Sequence, residues 1–218
     1  MAIALGEKRL PHERKVVDLQ DKPADFVALY RTAISDPAGR GVVPMLECSD
    51  GQTVLAESMV VLDYLDDIDP PSLTPEQRAR ARLFATLFPG RLSSFGILKC
   101  ESGSEDEGAA VEKLRADLKA MNSFLSDTGP GPFLFGETFS YAEAAAAPFA
   151  QRLIHVLPGL RPEHDPREWM ADEGLGRLAD WMEAVCERES CVESLPPPAE
   201  LVESFGKMVE RMKLAAAK

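Results

Sequence analysis

No run of lysine or arginine interrupts this chain: its 24 basic residues are dispersed among 36 acidic ones, for a formal net charge of -12. A surface of that sign lacks the basic stripe that phosphate backbones and anionic lipid faces require, which argues against nucleic acid and membrane as partners. Cysteine is scarce. Cys48, Cys100, Cys186 and Cys191 form no C-x-x-C pair and no set with histidine at metal-ligand spacing, so no metal is expected and free thiols in a reducing compartment fit best. Long apolar runs are missing too. None approaches the roughly 20 residues of a membrane-spanning helix, and the opening MAIALGEKRLPHERK returns to charge too soon for a secretory signal. A cytoplasmic protein is the expectation. The three histidines, His12, His155 and His164, have no serine, cysteine or acid at a recognisable triad spacing.

What is present is a chain of 218 residues, 45% hydrophobic, enough to bury the core of one large domain or two small ones. The stretch DDIDPPSLTP, residues 66–75, breaks every periodic pattern with charge and three prolines, and the domain boundary is expected there. Before it, short strand candidates at residues 15–19 (KVVDL), 45–48 (MLEC) and 53–55 (TVL) alternate with helical patterns. After it, β-like runs nearly vanish. The expected fold is therefore α/β over residues 1–68 and all-α over residues 74–218.

The helices of the second half carry their own punctuation. Thr74-Pro75-Glu76-Gln77 supplies a capping Thr, a Pro at the first helical position and a Gln at the third, and Ala79, Leu83 and Leu87 are expected to share its buried face. Val111, Leu114, Leu118, Met121 and Leu125 form a second apolar stripe, ended by DTGPGP at residues 127–132. Ser140 and Glu143 are spaced for a capping box ahead of an alanine-rich run, which suggests close helix approach at a bundle centre. A fourth helix is expected around Leu175, Leu178, Trp181, Met182 and Val185, and a last one from about Pro198 towards Met212. Only the ending AAAK looks low in complexity.

Two dipeptides in the first half carry the chemistry. Val43-Pro44 precedes the candidate strand at residue 45, and a proline, lacking an N–H, belongs at a strand start or edge. If the bond is cis, the turn leaves the Val43 N–H and C=O free to pair with an extended, peptide-like ligand; if trans, it merely begins an edge strand. Glu57-Ser58 opens a helix whose buried side is read as Val61, Leu62, Leu65 and Ile68, with Ser58 at the N-cap. The helix N-terminus suits a carboxylate and the Glu57 side chain suits an ammonium group, so together they would grip the two ends of an amino-acid head group. The plainer alternative is an ordinary cap.

The run VVPMLECSDGQTVLAESMVVLDYLDD resembles the second half of the N-terminal thioredoxin-like domain of cytosolic glutathione transferases. LGEKRLPHERKVVDLQDKPADF looks like that family's first helix and second strand in order, and FLFGETFSYAEAAAAPF resembles its C-terminal helical signature, with Glu143 where the family normally has Asp. The resemblance implies that Val43, before Pro44, pairs by backbone with the cysteinyl part of glutathione and that Glu57 and Ser58 hold its γ-glutamyl end. Lys22, in DLQDKPADF, points to omega- and lambda-like members and becomes a further glutathione contact. Glutathione as cosubstrate, a small electrophilic or disulfide second substrate, a role in detoxification and a homodimer are implied with it.

The same resemblance calls for a first strand and, near the start of the first helix, a Tyr, Ser or Cys that activates the glutathione thiol. Met1 already lies inside the part that matches that helix, so the first strand and the catalytic position are expected to be missing, and the strands at residues 15 and 45 to lack a common neighbour. Either the protein starts upstream of Met1 or this domain is remodelled. Two functions are compatible with these residues: a glutathione transferase, conjugating electrophiles if the missing residue is Ser or exchanging thiols if it is Cys, or a non-catalytic binding or scaffold module. Smaller candidates remain open. The loop RTAISDPAGRG, residues 31–41, is longer than in omega members, and its Arg40 is either a contact or solvated. Cys48 lies in a strand beside the proposed pocket, as a buried inert thiol or a nucleophile. Cys100 reads as an exposed thiol and Glu105–Glu107 as a solvated loop. Phe84, Phe88 and Phe95 are core or the lining of an apolar second-substrate site.

Overall fold

The structure, a computed structural model, describes residues 1–216, so Ala217 and Lys218 of the low-complexity ending lie outside the described residues. The chain divides into two compact units, Met1–Ser72 and Leu73–Lys218.

The first unit contains α1 (Ala2–Glu7), α2 (Ala24–Ala33), β1 (Met45–Glu47), β2 (Val54–Ala56) and α3 (Ser58–Ile68). β1 and β2 form an antiparallel hairpin in the register Met45↔Ala56, Leu46↔Leu55, Glu47↔Val54. Asp50 closes its turn. The Asp50 carboxylate accepts from the Thr53 hydroxyl at 2.6 Å, the Thr53 N–H at 2.8 Å and the Gln52 N–H at 2.9 Å. Helix α3 lies along both strands, and α1 packs on α3. Ile3, Ala4, Leu5, Tyr30, Val61, Leu62 and Leu65 make the small core. Lys8, at the end of α1, pairs with Asp66 at 3.1 Å and also donates to the Asp69 carbonyl. Residues 15–19 and Ile68 depart from expectation in this unit. Residues 15–19 form no strand, and Val16 is 89% exposed: strand backbone groups need a neighbouring ladder, and among the described residues β1 pairs only with β2. Ile68, the last residue of α3, is 50% exposed rather than buried, because the chain turns away at Asp69.

The second unit is helical: α4 (Pro75–Arg91), α5 (Phe95–Leu98), α6 (Glu105–Ser126), α7 (Tyr141–Gln151), a π-helical turn (Arg152–Val156), α8 (Leu157–Leu160), α9 (Pro166–Asp172), α10 (Gly176–Glu187), α11 (Glu189–Ser194) and α12 (Pro198–Ala216). Thr74 and Gln77 form the expected capping box on α4, and Ser140 and Glu143 the one on α7. The π-helical turn sits where Pro158, lacking an N–H, cannot continue the ordinary ladder. The alanines of α7 (Ala142, Ala144, Ala145, Ala146, Ala147 and Ala150) are all buried and let this helix pack closely on α4 and α10.

Glu143 is 0% exposed, and its carboxylate ties three segments together. It accepts from the Ser140 N–H and hydroxyl, from the Leu134 N–H at 2.8 Å and from Trp181 Nε1 at 3.0 Å. Leu114, Leu118, Met121, Leu125, Leu178, Trp181, Met182 and Val185 are buried as expected. The buried face of α4 differs from the expected one. Phe84 and Phe88, both 0% exposed, are packed on Trp181 at ring distances of 5.2 and 5.0 Å, while Leu83 is 49% exposed and Ala79 faces outward. Two stripes one residue apart compete on this helix, and the one carrying two phenylalanines buries more apolar area. These two rings are therefore core. Residues 105–107 are likewise no loop: they open α6, capped by Ser104, and Glu107 is buried.

Candidate functional site

The hairpin register decides which candidates meet. Met45 stands opposite Ala56 at the end of the ladder, so Pro44 and Val43 continue one strand where Glu57 and Ser58 continue the other. The two dipeptides, well separated in sequence, thus share one end of the hairpin. The Val43-Pro44 bond is cis, and Val43 is 47% exposed and outside the β1–β2 ladder. Glu57 and Ser58 are both exposed. Glu57, rather than Ser58, occupies the N-cap position of α3; its backbone has φ +69°, and its own side chain makes no capping hydrogen bond. A positive φ is unfavourable for a residue with a Cβ, typically by about 1–3 kcal/mol, and such strain concentrates at binding and catalytic positions. Here it turns the chain sharply from β2 into α3, an 11-residue helix with Glu57 at its N-cap.

Lys22 reaches this end indirectly. Its ammonium donates to the Arg40 carbonyl at 3.1 Å and the Gly41 carbonyl at 2.9 Å, just ahead of Val43. Arg31 Nε donates to the Gly39 carbonyl at 2.9 Å and secures the same loop. Gly41 has φ +66°, and a Cβ there would lie 2.9 Å from the Phe26 ring, so the turn requires glycine. The Arg40 side chain is exposed. The structure thus places Lys22 as a support for the approach to Val43-Pro44, a role that residue spacing alone does not reveal.

Cys48 is set apart. It lies past the other end of β1, where its N–H donates to the Thr53 carbonyl at the hairpin turn. There its thiol meets Tyr64 of α3, and the hydrogen bond with Cys48 holds the Tyr64 hydroxyl above its ordinary pKa. The other thiols are structural: Cys191 is fully buried, burial pushes Cys186 up to about 12, and Cys100, half-buried rather than exposed, donates to the Gly96 carbonyl at 3.1 Å.

The second unit holds one acidic cluster that sequence spacing hides. Donor atoms of Glu107, Glu163 and His164 lie within 4.8 Å of one another. Glu107 is already engaged: it accepts from the Gly103 N–H at 2.7 Å and Arg161 Nε at 3.1 Å, with His164 Nε2 at 3.5 Å. The Gly103 N–H foremost, then Arg161 and His164, hold its carboxyl below its ordinary pKa against the opposing effect of burial. The Arg161 guanidinium supplies the positive charge that a cation would bring, so this cluster fits a structural tie between the start of α6 and residues 161–164 better than a metal centre. Among the described residues no helix is long and apolar enough to cross a membrane.

Comparison with known proteins agrees with this architecture. The family model described as "Glutathione S-transferase, N-terminal domain" matches residues 1–68, and "Glutathione S-transferase, C-terminal domain" matches residues 75–184. Among curated proteins, "Glutathione S-transferase DHAR3, chloroplastic" of Arabidopsis thaliana is 28% identical over 193 residues, 86% of this chain and 64% of the relative. "Probable glutathione S-transferase DHAR2, chloroplastic" of Oryza sativa subsp. japonica is 28% identical over 198 residues, 88% of this chain and 62% of the relative. The chain thus spans less than two thirds of the length of these two relatives. Among solved structures, rice GST1 in complex with glutathione superposes with a TM-score of 0.74 at 24% identity, covering 96% of this chain and 90% of that one. With both of its units matched in order by the two family models, the chain belongs to the glutathione transferase family.

Proposed function

We propose that the Val43–Ser58 end of the hairpin binds glutathione and that the protein is a glutathione transferase acting on a small electrophilic or disulfide substrate. One observation carries the reading: the Met45↔Ala56 register sets Val43-Pro44 beside Glu57-Ser58. An extended tripeptide laid across this end would pair its cysteinyl backbone with Val43, next to Pro44. Its γ-glutamyl carboxylate would meet the N–H groups at the start of α3 and the Ser58 hydroxyl, and its ammonium the Glu57 carboxylate. Lys22 would act on the same ligand by holding the loop that presents Val43. Cytoplasmic location and a homodimeric state belong to this reading as well.

Calorimetric titration with reduced glutathione tests it. Binding is expected, and Glu57→Ala is expected to weaken it about tenfold or more, as loss of a charge-assisted hydrogen bond does. Absence of binding at millimolar glutathione overturns the assignment; unchanged affinity in Glu57→Ala removes that residue from the site. Turnover of 1-chloro-2,4-dinitrobenzene separates conjugation from thiol exchange, read with hydroxyethyl disulfide. Glutathione binding with neither turnover gives the alternative function, a non-catalytic binding or scaffold module.

A further inference from the structure

Residues 11–19 have the composition of a strand without a strand's hydrogen bonds. Val16, Val17 and Leu19 stand among charged residues in the order E-R-K-V-V-D-L, and a β-branched pair of this kind favours a sheet. Among the described residues, the backbone of residues 11–19 enters no ladder and makes no backbone–backbone hydrogen bond. The segment is also uncovered. Every residue from Pro11 to Gln20 is exposed except Val17, which is part-buried, and Val16 is 89% exposed. Alternation along an extended chain sets Val17 towards its own unit and gathers Arg14, Val16 and Asp18 on the outward face. An exposed, unpaired segment of this kind is a template for another strand.

The charges of the segment fit a second copy of itself. When two identical strands pair antiparallel about a two-fold axis, each residue keeps the same face in both copies, so one residue must stand opposite its own equivalent. Centring the pair on Lys15 or on Asp18 sets like charges against each other, and centring it on Val17 sets Glu13 against Asp21. Centring it on Val16 sets Val16 against Val16 and Arg14 against Asp18, twice by symmetry, with no like charges directly opposed over residues 12–20. Both partners of this ion pair are exposed. Asp18 Oδ1 accepts from the Gln20 N–H at 2.8 Å, and the other oxygen can take the guanidinium.

We infer that residues 12–20 of two copies join as antiparallel strands centred on Val16, and that this ladder is a homodimer contact of the protein. The inference gives a surface to the homodimeric state proposed above and rests on that state, not on glutathione binding. Chains of net charge -12 repel one another at long range, so the attraction comes from the ladder itself and its two Arg14–Asp18 pairs. A single pair of short strands lies at the small end of specific interfaces, and the dimer is therefore reversible and concentration-dependent.

Sedimentation equilibrium on the full chain without glutathione, over a concentration series, tests the contact. A monomer–dimer equilibrium is expected. Arg14→Glu or Asp18→Arg alone sets like charges opposite each other in both symmetric pairs and should weaken the dimer about tenfold or more, whereas the two changes together should restore it. Because both side chains are exposed, the variants should keep the far-UV circular dichroism of the parent. A monomer at every concentration overturns the contact together with the homodimeric state and leaves the segment open to a foreign strand. A dimer indifferent to both single reversals overturns the contact alone, and glutathione binding, read by calorimetry, stands or falls separately. The register is read with Val16→Cys and Gln20→Cys under mild oxidation: only Val16→Cys is expected to give a disulfide between equivalent positions, mapped by mass spectrometry, because only residue 16 meets its equivalent within disulfide reach. Equal crosslinking of the two variants overturns the pairing centred on Val16.

Discussion

The two units solve the same problem, the satisfaction of backbone polar groups, with different reach. In the second unit the groups that a helix leaves open are closed from nearby, as when Ser140 and Glu143 cap α7, and Glu143 then extends that local device to Leu134 and Trp181. In the first unit the hairpin closes its own ladder with three paired positions on each strand, while residues 15–19 stay outside any ladder. Helical structure is decided within four residues; sheet structure waits for a partner. The difference places the candidate glutathione site on the thinner scaffold and the larger core in the other unit.

That contrast can be broken by substitution, and the largest effect is expected at the centre of the second unit. Phe88→Ala should cost about 3–5 kcal/mol in chemical denaturation, because the fully buried ring packs on Phe84 and Trp181 and the bundle cannot collapse into the space it leaves. Glu143→Ala should cost about 3 kcal/mol by the same measurement, since it strands the Leu134 N–H and the Trp181 indole N–H in a buried place. A loss below about 1 kcal/mol at both positions would remove the proposed dominance of this core.

In the first unit Gly41→Ala should lower stability by about 1–2 kcal/mol, through the positive φ and the contact with Phe26, and should weaken glutathione binding by disturbing the loop before Val43. Acid probes the tie at Glu107. Its folded pKa is depressed, so its contribution is complete above the ordinary carboxyl value of 4.5 and is lost as the pH falls through the lowered folded value. Glu107→Gln should therefore flatten part of the loss of stability below that pH; an unchanged acid profile would contradict the assignment. At the small end, Val16→Thr should shift the denaturation midpoint by no more than the equivalent of about 0.5 kcal/mol, and a larger loss would mean that residues 15–19 are packed after all.

Much of the second unit is legible in the sequence because its signals are local. Thr74 with Gln77 and Ser140 with Glu143 mark helix starts by spacing alone, and the stripe from Leu114 to Leu125 marks a buried face. The signal fails where two stripes overlap, as on α4, because choosing between Leu83 and Phe84 depends on what the neighbouring helix presents, and Trp181 lies far along the chain. The acidic start of α6 misleads for the same reason: Glu107 looks solvated until Arg161 arrives from another segment. The candidate site is legible as two dipeptides whose meaning comes from their order, while the roles of Lys22 and Cys48 are not legible there.

By itself the sequence determined the division near residue 70, the helical character of the second unit, the caps, and the residue types that suit a zwitterionic tripeptide. Only the tertiary structure decided that Val43-Pro44 and Glu57-Ser58 stand at one end of the hairpin and that Cys48 stands at the other. The reason is range. Caps and periodicity act through backbone groups three or four residues apart, whereas register, burial and charge pairing depend on segments that meet only once the chain has folded.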